Sequence, residues 1–472
     1  MPQGGGEELG AGEIAGAAGG VHPQQPTVRP VQQTQHPLDG AVGELEVTAE
    51  DEHGVGVVQS GHEGRGRVGG IAAHTDEMRV AAGHVDTLVM DSVGPVSTPP
   101  PVLAAEDTPV GRIPGPDRDR RAHLALSGEG WTLTSPWRRA ARGSWSRPEA
   151  LLDRLGRLDL VHSLTIDAEP TGPAPDAATT TALATFVTRA IARGTFVVGD
   201  LPAMVSRRVH AEVPGAAHQR AGDLAFDIAA VRQRRQVLST RLTDPPTVSI
   251  LLATRRPHLL AEVAAMIRAQ THRRVEVVVA VHGGDPEHLP TPDVGAFDLR
   301  VLAVPGDRSL GHALQLAAEA ASGELLTKMD DDDHYGPDHL VDLLLARDVS
   351  GAPVVGKSST VVHVEALDTT VRRVIGVPET PVHRVAGGTI LVGADELRSF
   401  GGWADVPRAV DSALMRAATD AGAMIYRPHD IGYLYVRHAA ADGHTWSADA
   451  GHFLANSREQ WLGLLRHPDF GT

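Results

Sequence analysis

Glu324-Leu325-Leu326-Thr327-Lys328-Met329-Asp330-Asp331-Asp332-Asp333 is the stretch that decides the fold. Glu324 to Met329 reads as a buried strand, bounded upstream by Gly323 and running straight into four carboxylates. Four like charges at one strand end repel unless a cation joins them. Side chains alternate along an extended segment, so Asp330 and Asp332 are expected on one side. Two hard oxygen donors there suit Mg²⁺ or Mn²⁺, which keep waters or substrate phosphates as further ligands. The plainer alternative is a solvated acidic loop, or aspartates capping the helix after Pro337. A calcium loop fits poorly, because Tyr335 holds a ligand position and the closing Glu is missing.

Upstream of this stretch the pattern alternates between strand and helix. Val248 to Leu252 reads as a strand, a turn covers Ala253 to Pro257, and a helix carries apolar residues at 259, 260, 263, 266 and 267. Val275 to Val281 and Leu299 to Val304 read as two more strands, and Leu310 to Ala321 as a helix ended by Gly323. Strand-helix alternation implies a parallel sheet with helices on both faces. Ligands of such sheets sit beyond the C-terminal strand ends. The Thr254–Arg256 turn, the His282–Asp285 loop and the Asp330–Asp333 cluster all fall there.

Composition limits the function classes. With 43 basic against 59 acidic residues in 472, the net charge is −16, which argues against a nucleic-acid binder. There is no cysteine, so thiolate chemistry and thiolate metal sites are excluded and any metal must use Asp, Glu or His. No run of eighteen apolar residues is present, and the N-terminus has no secretory pattern. A soluble cytoplasmic protein is the expectation, and lysine occurs only at 328 and 357.

Three parts are expected. Residues 1–115 have no aromatic residue and are rich in Gly, Pro, Gln and His, which reads as a disordered or non-native extension. Residues 116–243 read as a small α/β accessory domain: a strand at Trp131–Thr134, a helix over Thr181–Arg193, and a strand at Thr195–Gly199. Pro202 reads as a helix opening, and Asp227 to Leu242 as a helical connector. Residues 244–472 hold the remaining fold.

Val248 to Pro257, then Ala320-Ala321-Ser322-Gly323-Glu324 leading into Asp330–Asp333, then Pro337 and Leu340, follow one another in a familiar order. With Gly387-Gly388-Thr389 and Gly401-Gly402-Trp403, this chain resembles the family 2 glycosyltransferases over residues of about 247–450. The resemblance implies a GT-A fold with a Rossmann-like, mostly parallel sheet. It also implies a nucleotide-diphosphate sugar donor, a divalent metal and inversion at the anomeric carbon. Asp330 and Asp332 match the metal-binding aspartates. Ala253, Thr254, Arg256, His282, Asp330, Asp331, Gly387 and Gly388 fall where the donor is held, although His282 stands where an acidic residue is usual. The family's base lies on a Glu-Asp pair opening a helix; here the pair is Val410-Asp411, so Asp411 is the expected base and Asp405 the runner-up. A helix start favours negative charge and also favours Asp for capping alone. A late His completes the metal site in some relatives; His438 and His444 are the candidates, with His444 in the more motif-like setting. Trp403 and Trp446 are candidates for stacking on sugars.

The acceptor implied is a carbohydrate or a lipid-linked glycan, with assembly at the inner face of a membrane as a family analogy. Two other classes stay open. Val410 in place of Glu keeps an inactive nucleotide-sugar or carbohydrate-binding module in play. A sugar nucleotidyltransferase needs a glycine-rich phosphate loop, and Thr254-Arg255-Arg256-Pro257 has no glycine.

Overall fold

The computed structural model describes residues 101–115, 120–168, 175–215, 221–439 and 450–472. It is a mixed α/β structure with three sheets. The first sheet holds β1 (Arg121–Leu126), β2 (Gly130–Ser135), β3 (Arg138–Ser144), β4 (Ser163–Ala168) and β5 (Phe196–Gly199), in the order β3-β2-β1-β4-β5. Helix α1 (Ala177–Ala192) starts on Asp176, whose carboxylate accepts from Thr179 N, and it buries Leu183, Phe186, Val187 and Ile191. The single-turn α2 (Ala203–Ser206) and the longer α3 (Leu224–Leu238) follow.

The largest sheet has eight strands. These are β6 (Val248–Thr254), β7 (Val275–His282), β8 (Asp298–Val304), β9 (Leu325–Lys328), β11 (Val354–Val355), β14 (Thr380–Val382), β15 (Leu391–Gly393) and β16 (Ile425–Arg427). Their order is β14-β16-β11-β15-β9-β6-β7-β8. Strands β6, β7, β8 and β9 run parallel, and β15 is antiparallel to both its neighbours. The alternation of β7 explains how both faces are covered. Val275, Val277, Val279 and Val281 enter one core with α4 (Leu260–Arg268) and α6 (His339–Ser350). Val278 and Ala280 enter the other core with α5 (Leu310–Ala320) and α8 (Val410–Asp420). Near-continuous apolar runs are what strands buried on both faces require.

The chain runs outward from β6 to β7 and β8, then returns to place β9 on the other side of β6. The order therefore reverses between β6 and β9, and the crevice beyond those two C-terminal ends is the default ligand site of such a sheet.

A third, five-stranded sheet follows the acidic stretch. Its order is β10 (His334–Tyr335), β17 (Tyr433–Arg437), β12 (Val361–Val364), β13 (Thr369–Arg373) and β18 (Ser457–Leu462). Two further short helices, α7 (Ala394–Ser399) and α9 (Ala450–Leu454), complete the described elements.

Several expectations need correction. Strand β9 ends at Lys328, and Asp331 and Asp332 lie in a turn, so side-chain alternation does not orient them. Residues 101–115, grouped with the extension by composition, are packed: Asp107 is fully buried and pairs with Arg189 at 2.6 Å, and Gly111 N donates to Glu379 O. The rest of the expected extension lies outside the described residues. Helix α1 begins earlier than expected, at Ala177, and α3 runs over Leu224–Leu238 rather than 227–242.

Helix α8 is preceded by Ala409 at φ 58° and ψ 29°, the left-handed region that costs a residue with a Cβ about 1–2 kcal/mol. The side chain of Ala409 is exposed. Replacing Ala409 by Gly is expected to raise stability by about 1 kcal/mol, measured as a later urea midpoint with an unchanged slope.

Candidate active site

Continuing the β6–β9 register past Leu251 opposite Lys328 brings Thr254 opposite Asp331. The side chains meet there: the Thr254 hydroxyl donates to Asp331, and its oxygen accepts from Arg256 N at 2.8 Å. Arg256 returns across the crevice, pairing with Asp331 and with Asp332 at 2.7 Å. Arg256 thus clamps two carboxylates of its own chain, where the sequence reading had it reaching for a nucleotide.

Each of the four aspartates has a different environment. Asp330 Oδ1 accepts from Lys328 Nζ at 2.5 Å, while its backbone N–H donates to Tyr335 Oη at 2.8 Å. Burial pushes its carboxyl up to about 6; Lys328 opposes the shift, and the charges of Asp411 and Asp332 add to it. Asp332 Oδ2 takes both Arg256 and His438 Nε2, the latter at 3.1 Å. Burial works against its charge, but the His438 hydrogen bond and Arg256 hold it below the ordinary carboxylate range. Asp333 is 2% exposed and accepts from Tyr433 Oη at 2.7 Å and Val436 N at 2.9 Å. Burial, then the charges of Asp332 and Asp330, push it well above the ordinary range, and its two hydrogen bonds stitch the turn to β17.

Asp411 arrives from the opposite side, in the first turn of α8. Its Oδ1 is buried and has no hydrogen-bond partner among the described residues; Lys328 Nζ is 3.7 Å away. One buried ammonium therefore lies between Asp330 and Asp411. Burial alone would lower its pKa, but Asp330 and Asp411 outweigh that and raise it, so Lys328 stays charged.

Gly387 and Gly388 form a tight turn pressed onto these groups. A Cβ at Gly387 would collide with the Asp411 carboxylate. One at Gly388 would lie 2.8 Å from both Asp330 Oδ2 and Tyr335 Oη. Only glycine permits this approach. The turn is anchored by Ala386 N donating to Lys357 O and by Lys357 N donating to Thr389 Oγ1.

His282 ends β7 and accepts from Arg255 Nε at 2.9 Å. Burial first, and the Arg255 charge second, lower its pKa and favour neutral imidazole. Ala253 is half-buried beside Thr254 on β6. Asp405, the runner-up base, accepts from Ser309 Oγ at 2.5 Å at the cap of α5. Trp403 is buried in the apolar core, not presented to a ligand. His444 and Trp446 lie outside the described residues. His438, the other candidate His, stands on Asp332, and its Nδ1 is 2.8 Å from Glu365.

A divalent cation can be tested against this donor set. Lys328 takes Asp330 Oδ1, and Arg256 and His438 take Asp332 Oδ2. Among the described residues no hydrogen bond reaches Asp330 Oδ2 or Asp332 Oδ1, which leaves one hard oxygen on each aspartate. No group of three His, Asp or Glu side chains shaped to hold a metal occurs among the described residues. The set therefore fits a cation bound by one or two carboxylates and completed by a substrate's phosphates.

No family model matches this chain, and no curated protein matches it in sequence. Among solved structures, it is similar to S. aureus TarS 1–349 in complex with UDP-GlcNAc: TM-score 0.33, 16% identity, 43% of this chain and 62% of that one. It is similar to the mannosyltransferase PcManGT from Pyrobaculum calidifontis in complex with GDP-Man and Mn²⁺: TM-score 0.31, 16% identity, 43% and 59%. A further S. aureus TarS structure matches at TM-score 0.31 and 16% identity, over 40% and 37%. Less than two thirds of each of those chains is spanned. No helix among the described residues is long and apolar enough to cross a membrane.

Proposed function

We propose that this chain is a glycosyltransferase that moves a sugar from a nucleoside-diphosphate sugar to an acceptor hydroxyl. One observation carries the reading: Asp330 and Asp411 face a single buried Lys328 at the crevice where the sheet order reverses. Such a pair of carboxylates, in different surroundings, suits two tasks. Asp330 and Asp332 would hold Mg²⁺ or Mn²⁺ through their open oxygens. A cation there would offset the charge that builds on the departing diphosphate.

Asp411 is the base in this reading. Its Oδ1 is turned inward toward Lys328, but the side chain is 29% exposed, so an acceptor hydroxyl entering the crevice can hydrogen-bond to the carboxylate. As the acceptor oxygen bonds to the anomeric carbon, the bond from that carbon to the diphosphate oxygen breaks. The hydroxyl proton passes to Asp411. Attack opposite the leaving group inverts the anomeric centre. Lys328 keeps Asp411 and Asp330 apart and oriented, and Arg256 fixes Asp331 and Asp332. Thr254, Ala253 and His282 form the rim for base and ribose, with the Gly387-Gly388 backbone closing over the sugar.

The family 2, GT-A assignment rests on the motif order in the sequence. The three-part domain division, a third metal ligand at His444 and work on envelope glycans at the cytoplasmic membrane face belong to the same proposal. The test is a thermal-shift panel of UDP-, GDP- and dTDP-sugars with and without Mn²⁺. A rise that needs both the metal and one nucleotide is expected. No rise with any pair would overturn the reading.

A further inference from the structure

Away from the acidic turn, α3 and the loop after β13 enclose a cavity of about 140 Å³. None of the residues at 254, 256, 330–333 or 411 lines it. Five arginines do: Arg234, Arg372, Arg373, Arg427 and Arg458, the last donating to Ala221 O at 3.2 Å. Two of them are neutralised. Arg234 pairs with the buried Glu379 at 2.7 Å, and Arg372 pairs with Asp227 and with Glu459, the latter at 2.9 Å.

Arg427 and Arg373 have no carboxylate within ion-pair distance among the described residues. Arg427 is 4% exposed; its Nη1 donates to Ile375 O and reaches Ser358 Oγ at 3.5 Å, but its Nε is buried and unbonded. Arg373 lies 5.5 Å over the Phe453 ring, and its Nε is likewise buried and unbonded. Burial pulls the Arg373 pKa below its ordinary value. His429, on the same wall, has an unbonded Nδ1. Besides Asp227, which is paired with Arg372, one further lining acid opposes them. Asp430 accepts from Ser358 N at 2.6 Å, and burial pushes its carboxyl up to about 6 against the pull of Arg427. A buried guanidinium with an idle donor is costly, which is the case of Arg427, while Arg373 is half-buried beside it on the same lining.

We propose that the cavity is a binding site for a phosphate-type oxyanion, held by Arg427 and Arg373. The guanidinium fork matches phosphate oxygens in pairs. The volume exceeds the roughly 30 Å³ share of one water several times over, so a phosphate with a small organic group fits. Phe226 and Ile375 provide an apolar wall for such a group. This site is independent of the transferase reading.

The test is calorimetric titration of the full chain with inorganic phosphate and with phenyl phosphate, in EDTA. Saturable binding is expected, weakened by about tenfold or more in Arg427→Gln and in Arg373→Gln and unchanged in Asp330→Asn. Circular dichroism shows which variants fold. Tighter binding of phenyl phosphate identifies an organic phosphate as the ligand; equal binding identifies free phosphate. Crystals soaked in tungstate locate the site without any variant, with the anomalous peak expected in the cavity between the Arg427 and Arg373 side chains. Absence of saturable binding, indifference to both arginine substitutions, or tungstate only elsewhere overturns the proposal.

Discussion

Asp411→Asn is expected to lower turnover about 10²–10⁴-fold while leaving donor affinity within about threefold. The amide keeps the shape of the carboxylate and still meets the Gly387 turn, so the crevice stays built. What it loses is the capacity to take a proton from the acceptor. In the proposed reading the donor contacts would lie with Asp330 and Asp332 across Lys328, and would survive the change. Sugar transfer followed by nucleotide release gives the rate, and titration with the donor gives the affinity. Full activity in the variant would remove Asp411 from the mechanism. Absence of transfer in the wild type, with binding intact, would favour a carbohydrate-binding module.

The largest stability effect is expected at Asp342→Asn, about 3–5 kcal/mol by urea unfolding at neutral pH. Asp342 is 2% exposed and accepts two hydrogen bonds from Arg235, at 2.7 and 3.1 Å. Lys357 Nζ, on a fully buried side chain, donates to it at 3.0 Å, and His429 Nε2 stands at 3.5 Å. Removing the charge strands Lys357 with only the Ile431 carbonyl, at 2.5 Å. The pH dependence has a definite sign. Burial opposes its charge, but Arg235 and Lys357 hold the folded carboxyl well below the ordinary range. Its contribution is therefore whole above the unfolded value of about 4 and is lost as pH falls through the folded value. The gap between wild type and variant is expected to stay constant from neutral pH down to about 5 and to narrow below that. Because the Lys357 backbone anchors the Gly387-Gly388 turn, the same variant is expected to lose some turnover.

The sheet around β6 was legible because its strands are buried on both faces. An unbroken run such as Val277 to Val281 has few other uses. The acidic stretch stood out for the opposite reason, as charge where apolar residues had just ended. The third sheet was not legible: β10 has two residues, and β12 and β13 are short and joined by one turn at Glu365–Leu367. Its pairings link β13 to β18 far along the chain, which no local period reveals. The place of Lys328 between two carboxylates was not legible, because a strand lysine usually reaches solvent and nothing local shows Asp411 beside it. Motif context favoured His444, which lies outside the described residues; His438, just past the end of β17, stands on Asp332, a contact that no local pattern reveals.

Between Lys328, which closes one sheet, and His334, which opens another, only five residues intervene, Met329 through Asp333. That segment is a corner post shared by two walls. Inserting or deleting one residue there would throw both sheets out of line at once. Divergence in what such a scaffold accepts must therefore accumulate in its outlying loops, while the post itself stays fixed.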